Sequence, residues 1–284
     1  MNSGRIPTKT ENVIKIWLLV LAFIIIGLGG SNAFALDLMG PPTAELEKDM
    51  FRGGLEYSFS KMDLELIEGN TNAYQDGEPL YSGPVGSLTI EDFEVNTLYA
   101  NVGYGIFENC EAFLRMGSAN ANFTDSEDEF DSKFNFAVGG GAKATFYEGF
   151  DWKIGGVFQI NWAEMDGELD SPSGSVPQPQ FIDITTTEMQ IALGATYMWT
   201  GWLSIYGGPF AHFISGDFDY KFTQYNQITE EYDTGETSWE INEGPTYGGY
   251  IGVQFKFAKN YSANLEFQYT SNANVIGANV MVRY

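Results

Sequence analysis

The sequence predicts an all-β protein, an antiparallel up-and-down β-barrel that crosses a membrane, and three observations support this fold class. Apolar and polar residues alternate with a period of two along most of the chain after residue 50. The alternating segments reach the 9–11 residues with which a tilted strand crosses a bilayer. Short turns alternate with long polar connections along the chain, which is typical of a transmembrane barrel.

The first 35 residues have the pattern of a secretory signal peptide. Three basic residues precede or enter the apolar run IWLLVLAFIIIGLG (16–29), and Ala33-Phe34-Ala35 matches an A-x-A cleavage site. The alternative is an uncleaved transmembrane helix, but fourteen apolar residues fall short of the roughly 20 that a bilayer needs. We therefore expect cleavage directed by Ala33 and Ala35, which leaves a mature chain that begins at Leu36.

The mature chain is acidic and rich in aromatic residues. Without the signal it carries 11 basic and 37 acidic residues, a net charge of −26. This charge excludes a nucleic-acid binder, because phosphate backbones require a basic surface. The 15% aromatic content argues against disorder. Cys110 is the only cysteine, so the chain forms no internal disulfide, and no cofactor is predicted.

Ten strands are predicted, an even number that returns the chain to the side where it began. Eight to twelve strands remain possible, because boundaries read from sequence are uncertain by a few residues. We interpret FDYKF (218–222) and TSWEI (237–241) as extensions of the seventh and eighth strands above the membrane. The long polar connections are predicted at 67–89, 124–132, 164–184 and 219–243. The strands are predicted at 51–66, 90–107, 110–123, 133–147, 150–163, 185–199, 202–218, 244–258, 261–271 and 273–284.

Two further segments complete the domain organisation. Residues 51–284 form the barrel, and residues 36–50 are predicted as a periplasmic N-terminal segment. That segment contains Pro41-Pro42 followed by TAELEKDM. We expect a brief helix or a tether on the side of the short turns, and a plug inside the lumen is a second hypothesis.

Aromatic residues border the predicted short turns, as in the girdles that barrels place at lipid head groups. The chain then ends on GANVMVRY, in which Ala278, Val280, Val282 and Tyr284 share one face. We expect this strand to pair with the first, because unpaired backbone groups are costly in hydrocarbon. Here the chain resembles bacterial outer-membrane β-barrels, in the broad sense of OmpA-like barrel domains and small porins. The resemblance implies that Val280, Val282 and Tyr284 are the signal read by the barrel assembly machinery.

Many charged residues fall on the inward face of the predicted strands. Charges inside a narrow barrel must be paired or hydrated, so two interpretations stay open: an ion-pair network across the lumen, and a water-filled lumen. About ten strands lie near the small end of barrel sizes, which favours a narrow or plugged lumen. The predicted lumen charges are Arg52, Glu56, Glu111, Arg115, Lys143, Lys153, Glu188, Lys256, Glu266 and Arg283.

Two candidate sites for chemistry are weak. His212 is the only histidine, but the residue two positions before it is Phe210 and not the aspartate that the omptin outer-membrane proteases require. We therefore expect a hydrogen-bonded lumen histidine and no enzyme activity. The loop TDSEDEFD (124–131) has the oxygen ligands that Ca²⁺ prefers, although acidic runs are more often simply solvated. Its candidate ligands are Asp125, Glu127, Asp128, Glu129 and Asp131.

The sequence thus predicts an integral protein of the outer membrane with a structural or surface-interaction role. A small-solute porin or channel is the alternative, and an omptin-like enzyme is a weaker one. The expected partners are outer-membrane lipid and, during biogenesis, the barrel assembly machinery. We expect a monomer.

Overall fold

The structure, a computed structural model, describes residues 36–125, 128–170, 180–226 and 231–284. None of the helical segments in these ranges is long and apolar enough to span a bilayer. Twelve strands follow one another: β1 (Phe51–Gln75), β2 (Glu78–Val85), β3 (Leu88–Phe107), β4 (Cys110–Asp125), β5 (Asp128–Ser132), β6 (Asn135–Glu148), β7 (Trp152–Asp170), β8 (Gln180–Met198), β9 (Leu203–Asn226), β10 (Glu231–Ala258), β11 (Tyr261–Thr270) and β12 (Ala273–Arg283).

Ten strand positions close into a ring. The order is β1, β3, β4, β6, β7, β8, β9, β10, β11 and β12, and β12 pairs with β1. Strand β5 continues the position of β6 beyond a break at residues 133–134, because both pair with β4 and β7. All of these pairs are antiparallel, so the predicted barrel of about ten strands is confirmed.

The two ends of the barrel chain meet at the closing seam. Arg52 lies opposite Arg283, and Phe51 and Tyr284 exchange backbone hydrogen bonds of 3.2 and 2.9 Å. Closure leaves no unpaired strand edge at this level, which a strand in hydrocarbon requires. The assembly signal at Val280, Val282 and Tyr284 stays a prediction.

Several strands extend well beyond the length of a membrane crossing. Strands β9 and β10 contain 24 and 28 residues, and they include FDYKF and TSWEI as predicted. The prediction of a polar loop at 67–89 is wrong: β1 continues to Gln75 and turns into β2 through Asp76-Gly77. The φ angles of these two residues, 46° and 81°, suit the tight turn of a two-residue hairpin.

The barrel changes its circumference along its axis. Strands β11 and β12 are only 10 and 11 residues long and end at the connection 271–272. Beyond that level β1 pairs directly with β10, from Leu66–Ile241 to Gln75–Asp233. The part of the barrel on the side of the long connections therefore has two fewer strands than the part below.

The outer face carries a belt of exposed apolar side chains around the ring. An exposed apolar surface of this extent marks an interaction with a partner or a membrane. Aromatic side chains border the belt on the side of the short turns; Phe150 is 97% exposed and Trp199 64%. The belt includes Leu55, Leu98, Val102, Leu114, Met116, Ile154, Ile160, Leu193, Ile251, Phe267 and Val280.

Candidate functional site

The interior of the barrel is occupied by residues 36–50, which we call the plug segment. Leu36, Asp37, Leu38 and Met39 are all at most 4% exposed. The segment has no helix and runs up into the lumen from the turn side, as the second hypothesis, a plug, predicts and unlike the expected helix or tether. It joins the wall at that end, where Asp49 N–H donates to Gly105 O and Gly105 N–H donates to Met50 O, both at 2.9 Å.

Side chains of the barrel wall take up the hydrogen bonds of the plug backbone. Met39 N–H donates to Glu266 at 2.9 Å, and Ala44 N–H donates to Thr145 Oγ1 at 3.1 Å. The carbonyl of Asp37 accepts from Gln268 at 2.8 Å and from Gln159 at 3.3 Å. Buried backbone that forms no regular ladder must find such partners, so the wall is built to receive this segment.

Glu111 binds the half of the plug segment that lies nearer to the short turns. It is 0% exposed and accepts from the backbone N–H groups of Glu45 and Leu46 at 2.8 and 3.0 Å. Its other oxygen lies 3.0 Å from Arg52 Nη1, and Arg52 also reaches the carboxylate of Glu45 at 3.3 Å. One wall carboxylate thus joins the plug backbone to an ion-pair network.

Contacts of Arg115 and Asp37 fix the other half of the plug segment, deeper in the lumen. The guanidinium of Arg115 donates to the carbonyl of Leu38 at 3.3 Å and lies 3.5 Å from Glu56. The carboxylate of Asp37 accepts from Thr97 at 2.9 Å, and from Ser58 at 3.3 Å. Arg115 and Asp37 are 2% and 4% exposed, so these contacts form away from bulk water.

The remaining predicted lumen charges lie on the inward face but differ in their surroundings. Glu266 and Lys143 are buried, at 1% and 4% exposed, beside the plug segment. Lys256 and Arg283 line a polar cavity of about 440 Å³ at the turn-side mouth. Lys153 lines the same mouth and pairs with Glu148 at 2.7 Å. The network therefore includes the plug segment, which the sequence did not assign to it.

An aromatic layer closes the lumen above the plug segment. It consists of Phe93, Phe123, Phe130, Phe218 and Trp239, and the four phenylalanines are at most 7% exposed. The ring centroids of Phe123 and Phe218 are 6.4 Å apart, although their strands β4 and β9 are not neighbours in the ring. Contact between these rings therefore crosses the lumen.

A small cavity separates the aromatic layer from the plug segment. Its volume is about 20 Å³, and its lining includes Phe93, Asp37, Tyr99 and Glu188. This is room for about one water molecule. The lumen is thus filled at two levels by different means, with polar backbone below and aromatic rings above.

His212 faces the lumen, as its parity predicts, and is 2% exposed. Its Nε2 lies 3.6 Å from Glu188 Oε2, which is beyond hydrogen-bonding distance. Gln190, opposite His212 on β8, belongs to a chain of amide hydrogen bonds from Gln159 to Gln268. The sequence alone does not distinguish these three glutamines from other polar lumen residues; the signal it offers is their inward parity on β7, β8 and β11.

The structure describes only some residues of the acidic loop and of the signal cleavage site. Glu127, Ala33 and Ala35 lie outside the described residues, as do the side chains of Asp125 and Asp128. Glu129 and Asp131 are exposed on β5. Within the described part of the chain, no group of three or more His, Cys, Asp or Glu residues could hold a metal ion.

Acidic residues also line up across the strand extensions on the loop side. Asp166, Asp183 and Asp219 lie opposite one another on β7, β8 and β9. Like charges in this arrangement repel, and Lys221 partly offsets them at 2.7 Å from Asp183. The hydrogen bond that Lys221 donates to Asp183 raises the pKa of the lysine above its ordinary value.

Comparison with known proteins finds similar folds and no relative in sequence. No family model matches the chain, and no curated protein matches it. The translocator domain of autotransporter NalP from Neisseria meningitidis aligns at 11% identity and a TM-score of 0.40, over 97% of this chain and 96% of that one. OprG from Pseudomonas aeruginosa aligns at 10% identity and a TM-score of 0.42, over 83% and 96%. The outer-membrane protease OmpT from Escherichia coli aligns at 9% and 0.41, over 85% and 97%.

The strand pairing and the outer surface establish the class of protein by themselves. A closed antiparallel ring with an apolar belt, an aromatic border, short turns on one side and long extensions on the other is the structure of an outer-membrane β-barrel. The chain is an integral outer-membrane barrel. Such barrels place their short turns in the periplasm and their long extensions outward, and we expect the same orientation here.

Proposed function

We propose that this protein is a sealed outer-membrane barrel with a structural or surface-interaction role, which neither conducts solutes nor catalyses a reaction. The observation that carries the proposal is the filled lumen. The plug segment makes hydrogen bonds with wall residues around the ring, and the aromatic layer above it brings Phe123 and Phe218 together across the lumen. Both levels therefore place buried protein groups across the lumen, which supports a sealed barrel.

The loop-side extensions supply the surface for interaction. The hairpin of β1 and β2 stands above the lipid belt and exposes Tyr74, Leu80 and Tyr81 at 39%, 58% and 52%. Exposed apolar side chains outside the membrane are typical of contact surfaces. Pro79 and Pro84 lie on the free edge strand β2 and weaken it as a template for strand addition.

His212 supports the absence of catalysis. It is buried beneath the aromatic layer, and the only carboxylate within 4 Å of it in the described chain is Glu188. A polypeptide or lipid substrate would have to displace the aromatic layer or the plug segment to reach it. We further propose that the barrel is monomeric and is inserted by the barrel assembly machinery.

Single-channel recording in planar bilayers tests the proposal. The purified mature barrel should give no steady conductance. A variant that lacks residues 36–46 and also carries Phe123→Ala and Phe218→Ala should conduct, because both levels are then open. Steady conductance by the unmodified protein would contradict the proposal.

The same recording tests the second candidate function, a narrow channel for small solutes. The polar cavity of about 440 Å³ at the turn-side mouth favours it, since solutes could enter there if the plug segment moved. Brief openings of the unmodified protein that disappear when a disulfide ties residue 38 to the wall at residue 277, where Leu38 lies against Gly277, would support this alternative.

A further inference from the structure

The inner end of the plug segment is fixed in the middle of the lumen. Asp37 is held through its carbonyl by Gln268 and Gln159 and through its carboxylate by Thr97. Leu36, one residue earlier, is 2% exposed. The predicted cleavage between Ala35 and Leu36 would therefore place the new chain terminus inside the barrel and not in the periplasm.

Two carboxylates at this position lack a strong cationic partner. Asp37 and Glu188 line the same cavity of about 20 Å³. Among the described residues, neither has a lysine or arginine within ion-pair distance; the guanidinium of Arg115 pairs with Glu56. Glu188 Oε2 has no hydrogen-bond partner there, and its nearest possible cation is His212 Nε2 at 3.6 Å.

A buried carboxylate without a partner is strongly unfavourable. Hydrolysis of the Ala35–Leu36 peptide bond by water yields a carboxylate on the released signal and an amine on Leu36. An α-amine has a pKa near 8 in model peptides, so it is largely protonated at neutral pH. Cleavage therefore delivers one positive charge next to Asp37, beside two carboxylates that have no lysine or arginine within ion-pair distance among the described residues.

We infer that signal removal completes an ion-pair site in the lumen, in which the α-ammonium group of Leu36 binds the carboxylate of Glu188 beside Asp37. The inference rests on the plugged lumen proposed above and adds its means of fixation. Before cleavage the nitrogen of Leu36 is an uncharged amide and cannot make this pair. Proteolytic maturation and seating of the plug segment are thereby coupled.

The experiment uses exported protein purified from outer membranes, with the first residue identified by mass spectrometry. The processed protein should begin at Leu36. In a second form, one glycine is inserted between Ala35 and Leu36, so that cleavage still occurs but the ammonium group is displaced by about 3.5 Å. Each form is prepared with Glu188, with Glu188→Gln, and with the control Glu164→Gln, which changes an exposed carboxylate on β7.

Thermal unfolding in detergent, followed by gel mobility, separates a pairing role from a general structural role. Glu188→Gln should lower the midpoint of the natural form by about 5 °C and that of the glycine form by about 1 °C, because only the natural form has the pair to lose. Glu164→Gln should change neither. An equal loss in both forms would overturn the inference, since Glu188 would then act without the terminus.

Reactivity of the terminal amine gives an independent readout. Folded protein is treated with an amine-acylating reagent and digested, and the acylation of Leu36 is compared with that of Lys48, which is exposed at the outer end of the plug segment. Leu36 should react at least about tenfold more slowly than Lys48 when folded and at a similar rate when unfolded. Equal rates in a non-conducting barrel, or a first residue other than Leu36, would overturn this inference without affecting the sealed barrel. Conductance by the natural form would instead overturn the proposed function.

Discussion

Glu111→Gln is the substitution that most directly tests how the plug segment is held. The side chain keeps its size but loses its charge, at a position with 0% exposure. The native carboxylate accepts two backbone N–H groups, at 2.8 and 3.0 Å, and pairs with Arg52 at 3.0 Å. In the variant the amide nitrogen cannot accept a hydrogen bond. If it takes the place of Oε1, Arg52 loses its acceptor, and if it takes the place of Oε2, both backbone N–H groups lose theirs.

The expected loss follows from these contacts. A hydrogen bond to a charged group contributes about 1.5–3 kcal/mol, and removing one member of a buried ion pair costs about 3–5 kcal/mol. Arg52 keeps Glu45 as a partner at 3.3 Å, which limits the damage. We therefore expect the free energy of unfolding to fall by about 3 kcal/mol.

Urea unfolding of the barrel folded in lipid vesicles, monitored by tryptophan fluorescence, measures this quantity. The matched control is Glu148→Gln, whose side chain is 61% exposed and pairs with Lys153 near the turn-side mouth. A surface pair of that kind contributes at most about 1 kcal/mol. If Glu111→Gln were no more destabilising than Glu148→Gln, the plug segment would not be bound to the wall as described.

Three further variants probe the plug, the aromatic layer and the seam. Gly105→Ala places a methyl group about 2.0 Å from the carbonyl oxygen of Glu47, which displaces the plug segment. Protease cleavage within residues 36–50 should therefore accelerate by at least about tenfold. The control Gly53→Ala, whose new methyl group lies 4.0 Å from the nearest atom, should leave the cleavage rate unchanged. Phe123→Ala should lower the free energy of unfolding by about 3–5 kcal/mol yet leave planar bilayers non-conducting, because the plug segment remains; conductance would show that the aromatic layer alone seals the barrel. Deletion of Tyr284 should reduce heat-modifiable, membrane-inserted protein several-fold relative to Tyr247→Ser, an exposed aromatic away from the seam; equal insertion would remove Tyr284 from the assembly signal.

Local periodicity was sufficient to predict most of the barrel wall. Each ring strand alternates because one face meets lipid and the other meets the lumen, and this information is contained in every short segment. The hairpin of β1 and β2 was missed although its signal was present: Asp76-Gly77, between two short runs with strand character, is a strong hairpin pattern. The polar character of 67–89 concealed it, because a strand outside the membrane and exposed on both faces needs no apolar residues.

The sequence allows a plug at residues 36–50 but does not choose it over a helix or a tether, for a different reason. Residues 36–50 have no period, since several of their backbone groups are satisfied by side chains far away in the chain, such as Glu111 and Gln268. The inward parity of Glu111, Arg115 and Glu266 predicted charges in the lumen. Parity alone does not tell whether their partners are other wall residues, water or a returning segment.

The early end of β11 and β12 has a consequence for the way the interior is filled. The bore of a barrel widens with the number of its strands, and side chains alone can fill it at eight. Beyond the last β1–β12 pair, Met62–Ala273, β1 pairs with β10 and two strands leave the wall, and phenylalanine rings fill the lumen next to this transition. On the side of the short turns, β11 and β12 add two strands to the wall, and the plug segment occupies the wider lumen. The short β11–β12 hairpin thus marks the level at which the filling of the lumen changes from plug backbone to aromatic side chains.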